Sequence, residues 1–358
     1  MSSFTPRLEI YPSRIEENAR SVINLCHSNG IKVAGVTKVI CAHSAVVIAL
    51  VKAGVDMIAD SRVENLRTIR ETSSNLPLML LRIPTPSRLD EVVELADISL
   101  NSSLETLIGL SKAATAAGKT HQAIIMIDLG DLREGVWPDR AIEVVTGAAN
   151  LPNLDVIGLG CNLACYGGVI PTTEKMEMLL DVHEKCRKAT GLPLDVLSGG
   201  NSANLPLLAA GGMPTGINQL RIGEAIQLGR NVLDRSPWPG TRQDTYLVVA
   251  EVVEMEVKPS VPIGMCGQDA FGGTPQFTDR GLRKRAICNI GRQDVVVDNI
   301  EPVDSGMIVL GGSSDHLILD VQEAAEPIKV GSEIAFYPGY SALLAASTST
   351  YVQKVVVD

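Results

Sequence analysis

Residues 32–62 read KVAGVTKVICAHSAVVIALVKAGVDMIADSR. Lys32 to Thr37 is a short β-branched run. AHSAVVIALVKAG, residues 42–54, carries apolar residues at helical spacing and stops at Gly54. Val55 to Ala59 is a second β-branched run. A strand, a helix and another strand in about thirty residues make the βαβ unit of a parallel sheet, because parallel strands need a crossover to bring the chain back to the same edge.

The alternation continues on both sides. Upstream, SRIEENARSVINLCHSNG, residues 13–30, places Ile15, Ala19, Val22, Ile23 and Cys26 on one helical face and stops at Gly30. Downstream, strands are expected at Pro77 to Leu81, Asp97 to Leu100, Gln122 to Ile127, Asp155 to Gly158, Leu194 to Leu197 and Ile217 to Arg221. Eight strands by about residue 222 predict an α/β fold whose amino-terminal part is a closed (β/α)8 barrel of TIM type. After about residue 235 the texture changes. TYLVVAEVVEMEV, RKRAICNI, MIVLGG, HLILDV and EIAFYP, separated by Gly, Pro and Asp, read as a mainly antiparallel β-domain. SPWPGTRQD, residues 236–244, reads as the linker. The expected division is a barrel over 8–235 and a β-domain over 236–358, joined by an amino-terminal strand at about residues 1–8.

Composition narrows the function. The chain has 358 residues, 45% of them apolar, and no apolar run reaches the roughly 18 to 20 residues that span a bilayer. Net charge is −10 and the basic residues form no long cluster, which argues against a nucleic-acid partner. The amino terminus, MSSFTPRLEIYPSRIEENAR, has no basic segment followed by an apolar stretch, so a cytoplasmic protein is expected. The seven cysteines are odd in number and scattered, which suits a reducing compartment. No CxxC occurs, and no metal site is expected.

In a (β/α)8 barrel the carboxyl ends of the strands form the active-site face. Lys38 ends the first strand. Flanked by Val36 and Val39, it would be costly to hold charged, and desolvation would move its pKa down toward useful nucleophilicity. The alternative is a lysine that snorkels to the rim. Other strand ends carry Asp60 and Arg62, then Arg82, Asn101, and Asp128, Asp131, Arg133 and Glu134. Later ends carry Asn162, the SGGNS turn at 198–202, and Arg221 with Gly223 and Glu224. A Gly- and Ser-rich turn after strand seven, with another glycine after strand eight, is where barrels bind a phosphate through backbone N–H groups and hydroxyls.

At these residues the sequence resembles the fold-type III pyridoxal-phosphate enzymes, the alanine racemase superfamily, and within it the ornithine racemase branch. The resemblance spans both domains. It is carried by VAGVTKVICAHSAVV with ADSRVENL, IDLGDLREGVWP, SGGNSANLPLL, LRIGEAIQLGR, and DAFGGTPQFTDRGLRKRAICNIGRQDV with SSDHLILDV. It implies that Lys38 carries pyridoxal 5′-phosphate and works one face of the substrate Cα, and that Arg221 faces the pyridine nitrogen. Ser202, Gly223 and Glu224 match phosphate-binding positions. Tyr340, in YPGYSALLAA, matches a tyrosine that reaches the phosphate from the second domain, and Arg133 an arginine near the phenolic oxygen.

There are departures from that pattern. Arg292 falls where alanine racemase has its opposite-face tyrosine, and an arginine cannot act as a base because it is effectively never deprotonated. Asp294 is the first alternative, followed by Asp315, His316, Cys266 and Asp269. Asn162 stands in place of a histidine under the cofactor ring, and Ala42 in place of a phosphate-binding tyrosine. The resemblance implies a two-base racemase acting on L- and D-ornithine, with lysine or arginine as further substrates, built as a head-to-tail homodimer. A distal ammonium would need an acidic partner, for which Asp131, Glu134, Asp269 and Glu224 are candidates.

The competing readings are a racemase of another amino acid such as alanine or lysine, and a non-catalytic cofactor carrier. A carrier of that kind lacks the β-domain. A D-threonine aldolase or D-serine dehydratase needs a histidine-containing metal pair in the second domain, whereas His316 stands alone after His183. A basic amino-acid decarboxylase would place a cysteine before an Asp-Gly pair, which none of the cysteines does.

Overall fold

The computed structural model describes residues 4–72 and 75–358. The chain separates into two compact units: Pro12–Arg242, and the amino-terminal segment through Tyr11 together with Gln243–Asp358. After β1 (Arg7–Ile10) come the barrel strands β2 (Lys32–Val36), β3 (Met57–Asp60), β4 (Leu78–Leu80), β5 (Ile98–Asn101), β6 (His121–Met126), β7 (Leu154–Gly160), β8 (Val196–Ser198) and β9 (Gln219–Ile222). They pair in that order, all in parallel, and β9 closes on β2.

The period of two along each strand fills this barrel. Ala34 and Val36, Met57 and Ala59, Ile98 and Leu100, and Ile124 and Met126 pack with Met79 into one buried cluster. The intervening residues Val33, Ile58 and Leu78 are buried as well. Strands buried on both faces are why these segments read as near-continuous apolar runs. The helices are capped locally. Ser103 Oγ accepts the Thr106 N–H at 3.4 Å, Thr172 Oγ1 accepts the Lys175 N–H at 3.3 Å, and Gly54 ends its helix in the left-handed region.

The second unit is one sheet in the order β12 (Ile300–Pro302), β15 (Glu333–Pro338), β10 (Tyr246–Pro259), β11 (Leu282–Cys288), β14 (Leu317–Asp320), β13 (Ile308–Gly312). These neighbours are antiparallel. β1 adds antiparallel to β10 and parallel to β16 (Gln353–Val356). Tyr246 and Phe336 are fully buried in it.

The two units divide later than the expected 235/236 boundary. Trp238 N–H donates to Gly229 O at 2.8 Å, and Asn18 exchanges two bonds with the Arg242 backbone, at 2.8 and 2.7 Å, so the expected linker is tied to the barrel. Residues 8–10, expected in the barrel, belong to the β-domain sheet, because Leu8, Glu9 and Ile10 pair with Val248, Leu247 and Tyr246. Among the described residues no helix is long and apolar enough to cross a membrane.

Candidate active site

Lys38 sits where the chain leaves β2, at the start of a 3-10 turn, Lys38–Ile40. It is half-buried, and among the described residues no hydrogen-bond acceptor holds its Nζ. Burial pushes its pKa below the ordinary lysine value. The Arg133 cation adds to that shift, while Cys165, Asp60 and Glu134 oppose it. This is the poise expected of a nucleophilic lysine, and it agrees with the reading from Val36 and Val39.

Two loops frame the lysine. After β6, Asp128 Oδ1 accepts the N–H groups of Gly130 at 2.8 Å and Leu132 at 3.2 Å. Gly135, at φ +146°, lies so close to this turn that a Cβ there would come within 2.4 Å of Asp128 N. After β7, the backbone N–H groups of Cys165, Tyr166 and Val169 all donate to the buried Asp131 carboxylate, at 3.4, 3.0 and 3.1 Å. One carboxylate thus fastens the two loops together. The Arg133 guanidinium is held on this frame by Glu134 and by Cys165 Sγ at 2.9 Å.

Arg221, 4% exposed on β9, donates to Ser198 Oγ and, at 2.7 Å, to Cys161 O. Among the described residues no carboxylate lies within ion-pair distance of it, and burial pushes its pKa down to about 10. A buried guanidinium without a counter-charge suits a neutral acceptor such as a pyridine nitrogen. Asn162 accepts from Asn201 Nδ2 at 3.2 Å through its own oxygen, while its own Nδ2 is buried and unpartnered. A buried unmatched donor beside such a site is a place for a ligand atom.

The phosphate-type turn is also built. Ser202 Oγ accepts the backbone N–H groups of Gly223 at 3.2 Å and Ala225 at 3.3 Å. With its lone pairs so engaged, the hydroxyl proton is free to donate outward. Gly200, at φ +137°, makes the turn possible, since a Cβ there would meet Asn204 Oδ1 at 2.4 Å. Ala42, after the Lys38 turn, is fully buried.

These features decide the relationship when set beside the comparisons. The family model described as "Alanine racemase, N-terminal domain" matches residues 10–230. An ornithine racemase of Acetoanaerobium sticklandii is 42% identical over 350 residues, covering 98% of this chain and 99% of that protein. The chain belongs to the alanine racemase family. A lysine racemase of Thermotoga maritima is 43% identical over 350 residues, covering 98% of both chains. Among solved structures, an alanine racemase of Clostridium difficile 630 superposes with a TM-score of 0.75 at 19% identity, over 100% of this chain and 97% of that one, which shows the shared fold.

Members of this racemase family are pyridoxal-phosphate-dependent isomerases, and so is this chain. The residues present fit the cofactor. Lys38 offers an amine, Arg221 a buried cation without a carboxylate partner, Asn162 a buried donor without a partner, and Ser202 a hydroxyl on the phosphate-type turn beside Gly223 and Glu224.

The remaining sequence candidates fall out unevenly. All four acids considered for a distal ammonium are already engaged. Asp131 holds the second loop, Glu134 pairs with Arg133, Glu224 pairs with Arg235, and Asp269 accepts its own loop's N–H groups at Phe271 and Gly273. Burial pushes the Glu224 carboxyl up, against the pull of Arg235.

In the β-domain, Asp294 is 7% exposed and accepts the Ser349 hydroxyl at 2.8 Å. Asp315 and Cys266 are at the surface, Asp315 accepting from Gln293 Nε2 at 2.6 Å. Arg292 is exposed, stacked 4.9 Å over the Phe271 ring and bonded to Gly312 O. Tyr340 opens the helix Tyr340–Thr348 and is half-buried. Among the described residues no group of three or more His, Cys, Asp or Glu side chains could hold a metal. The frame role of Asp131 and the Cys165 contact of Arg133 had no sequence signal beyond their positions after strands.

Proposed function

We propose that this chain interconverts L- and D-ornithine, with lysine as the second substrate that its relatives suggest. The observation that carries the reading is Lys38, with its depressed pKa, at a barrel mouth that also holds Arg221 without a counter-ion and Ser202 with a spare proton. Ornithine and lysine racemases, similar along nearly the whole chain, set the substrate class.

When bound, pyridoxal phosphate supplies the electron sink that makes the Cα proton of an attached amino acid acidic. Arg221 would be the cation for the pyridine nitrogen, where a guanidinium would leave that nitrogen unprotonated, moderate the sink and favour proton return to Cα. Ser202, Gly223 and Glu224 would hold the phosphate, and Arg133 and Asn162 would orient the ring. Lys38 would take or return the Cα proton on one face, helped by the burial that lowers its pKa below the ordinary lysine value.

The opposite face needs a second acid/base, because inversion delivers the proton from the side opposite its removal. We assign it to the β-domain of a second copy in a head-to-tail homodimer. Asp294 is drawn inward by Ser349, so surface Asp315 and Cys266 are better placed to act across an interface, and Arg292 serves as a fixed cation there. Support for such a partner comes from the 260–281 segment, where Ile263 is 90% and Met265 105% exposed. The distal ammonium would share Glu134 or Glu224 with their arginines, both carboxylates lying in the field of Lys38.

Chiral chromatography of the purified protein with pyridoxal phosphate tests the reading. L-ornithine and L-lysine should yield their D forms ahead of L-alanine and L-arginine, and Lys38→Ala should lower the rate at least a thousandfold. No D-isomer from any of the four would reject it.

A further inference from the structure

Asp60 is a fully buried carboxylate at the end of β3 that the reaction described above does not use. The parallel register sets Val36 beside Ala59, and Thr37 N–H donates to Ala59 O at 3.1 Å, so Thr37 and Asp60 leave their strands side by side. Thr37 Oγ1 then donates to Asp60 Oδ2 at 2.7 Å. The other oxygen accepts Arg62 N–H at 3.0 Å and Asn65 Nδ2 at 2.9 Å. Every one of these contacts is a donor and favours the ionised carboxylate, while burial, the larger influence, pushes the Asp60 pKa up.

Thr37 is the residue immediately before Lys38. We propose that Asp60 is a positioning residue for Lys38: by gripping Thr37 it fixes the turn from which the lysine projects and sets a buried carboxylate beside that turn. This rests on the reading of Lys38 as the cofactor-bearing lysine. The groups whose charges face the Lys38 amine are Arg133 and Glu134 from the loop after β6, Cys165 from the loop after β7, Asp60 from β3 and Glu224 after β9. Asp60 stands apart among the acids here. Glu134 and Glu224 are each paired to an arginine, whereas among the described residues Asp60 has only neutral donors. Burial first and the Arg133 cation second favour loss of the amine's proton, and Asp60 is among the groups that oppose them.

The test reads Lys38 directly, in the full-length chain freed of cofactor. The rate of acetylation of Lys38 by acetic anhydride is followed against pH by peptide mass spectrometry, since only the neutral amine reacts. In Asp60→Asn the midpoint should fall by about half a pH unit or more relative to the native chain. Arg133→Gln should move it the opposite way. Asp60→Ser, which keeps an oxygen for the Arg62 and Asn65 donors but carries no charge, should reproduce the Asp60→Asn shift and serves if Asp60→Asn does not fold. An unchanged midpoint in a folded Asp60 variant would overturn the proposal and leave Asp60 as a cap of the helix Val63–Glu71. Because labelling needs no turnover, a negative racemase assay would reject the function while leaving this measurement to decide Asp60 separately.

Discussion

His121, at the start of β6, shows how one buried side chain writes a pH dependence into the fold. It is 2% exposed and shares a 2.7 Å hydrogen bond with Ser99 Oγ, and burial pushes its pKa down to about 4. Its folded value is therefore depressed below the ordinary 6.5. Between about pH 4 and 6.5 the unfolded chain binds the proton and the folded one does not, so this residue makes stability rise with pH across that window and contributes no slope above it. The full effect is on the order of 3 kcal/mol. The thermal unfolding temperature measured from pH 4.5 to 7.5 should fall toward acid in the native chain and fall less steeply in His121→Gln; equal slopes would assign the effect elsewhere. Nothing in the sequence around His121 marks it as buried. Lys38, by contrast, stands out in the sequence as a candidate because it follows an apolar strand that must end at the active-site face of the barrel.

The next scale is the pair of loops after β6 and β7, joined by Asp131. Its carboxylate takes three backbone N–H groups of the second loop, and Arg133 and Cys165 meet on that frame. Asp131→Ala leaves those donors without their acceptor, which should cost about 3 kcal/mol. Thermal unfolding should drop by several degrees and kcat should fall at least tenfold as Arg133 loses its seat; native-like values for both would mean that the loops hold without it. In sequence Asp131 could equally be a ligand for a substrate ammonium, because its true partners lie more than thirty residues away, and loop-to-loop bonding is set by the closed barrel and not by local pattern.

Strand positions were more legible, within about two residues, since β-branched runs buried on both faces have few alternatives. The displaced ends have local causes. Val55, expected to start the second barrel strand, instead donates its N–H to Leu50 O as the chain leaves a helix. Leu194, expected to start the seventh, sits at φ +46° and cannot extend.

For the whole molecule, the division into a barrel and a β-domain follows from the change of texture near residue 235, and only the boundary moved, because Trp238, Thr241 and Arg242 bond back to the barrel. The opposite-face acid/base was not legible. Asp294 lies in the matching motif, but Ser349, 55 residues further on, turns it inward, and no local pattern announces such a contact. What the fold and the family together require is that one protein exchange the Cα proton from both faces of the same amino acid. The most direct test is proton NMR in deuterium oxide, starting separately from L- and D-ornithine with the cofactor-loaded protein. Deuterium should enter Cα from either start while both reactions converge on equal amounts of the two enantiomers, and neither should occur in Lys38→Ala. Exchange with full retention of configuration, or no exchange from either enantiomer of ornithine or lysine, would contradict the account.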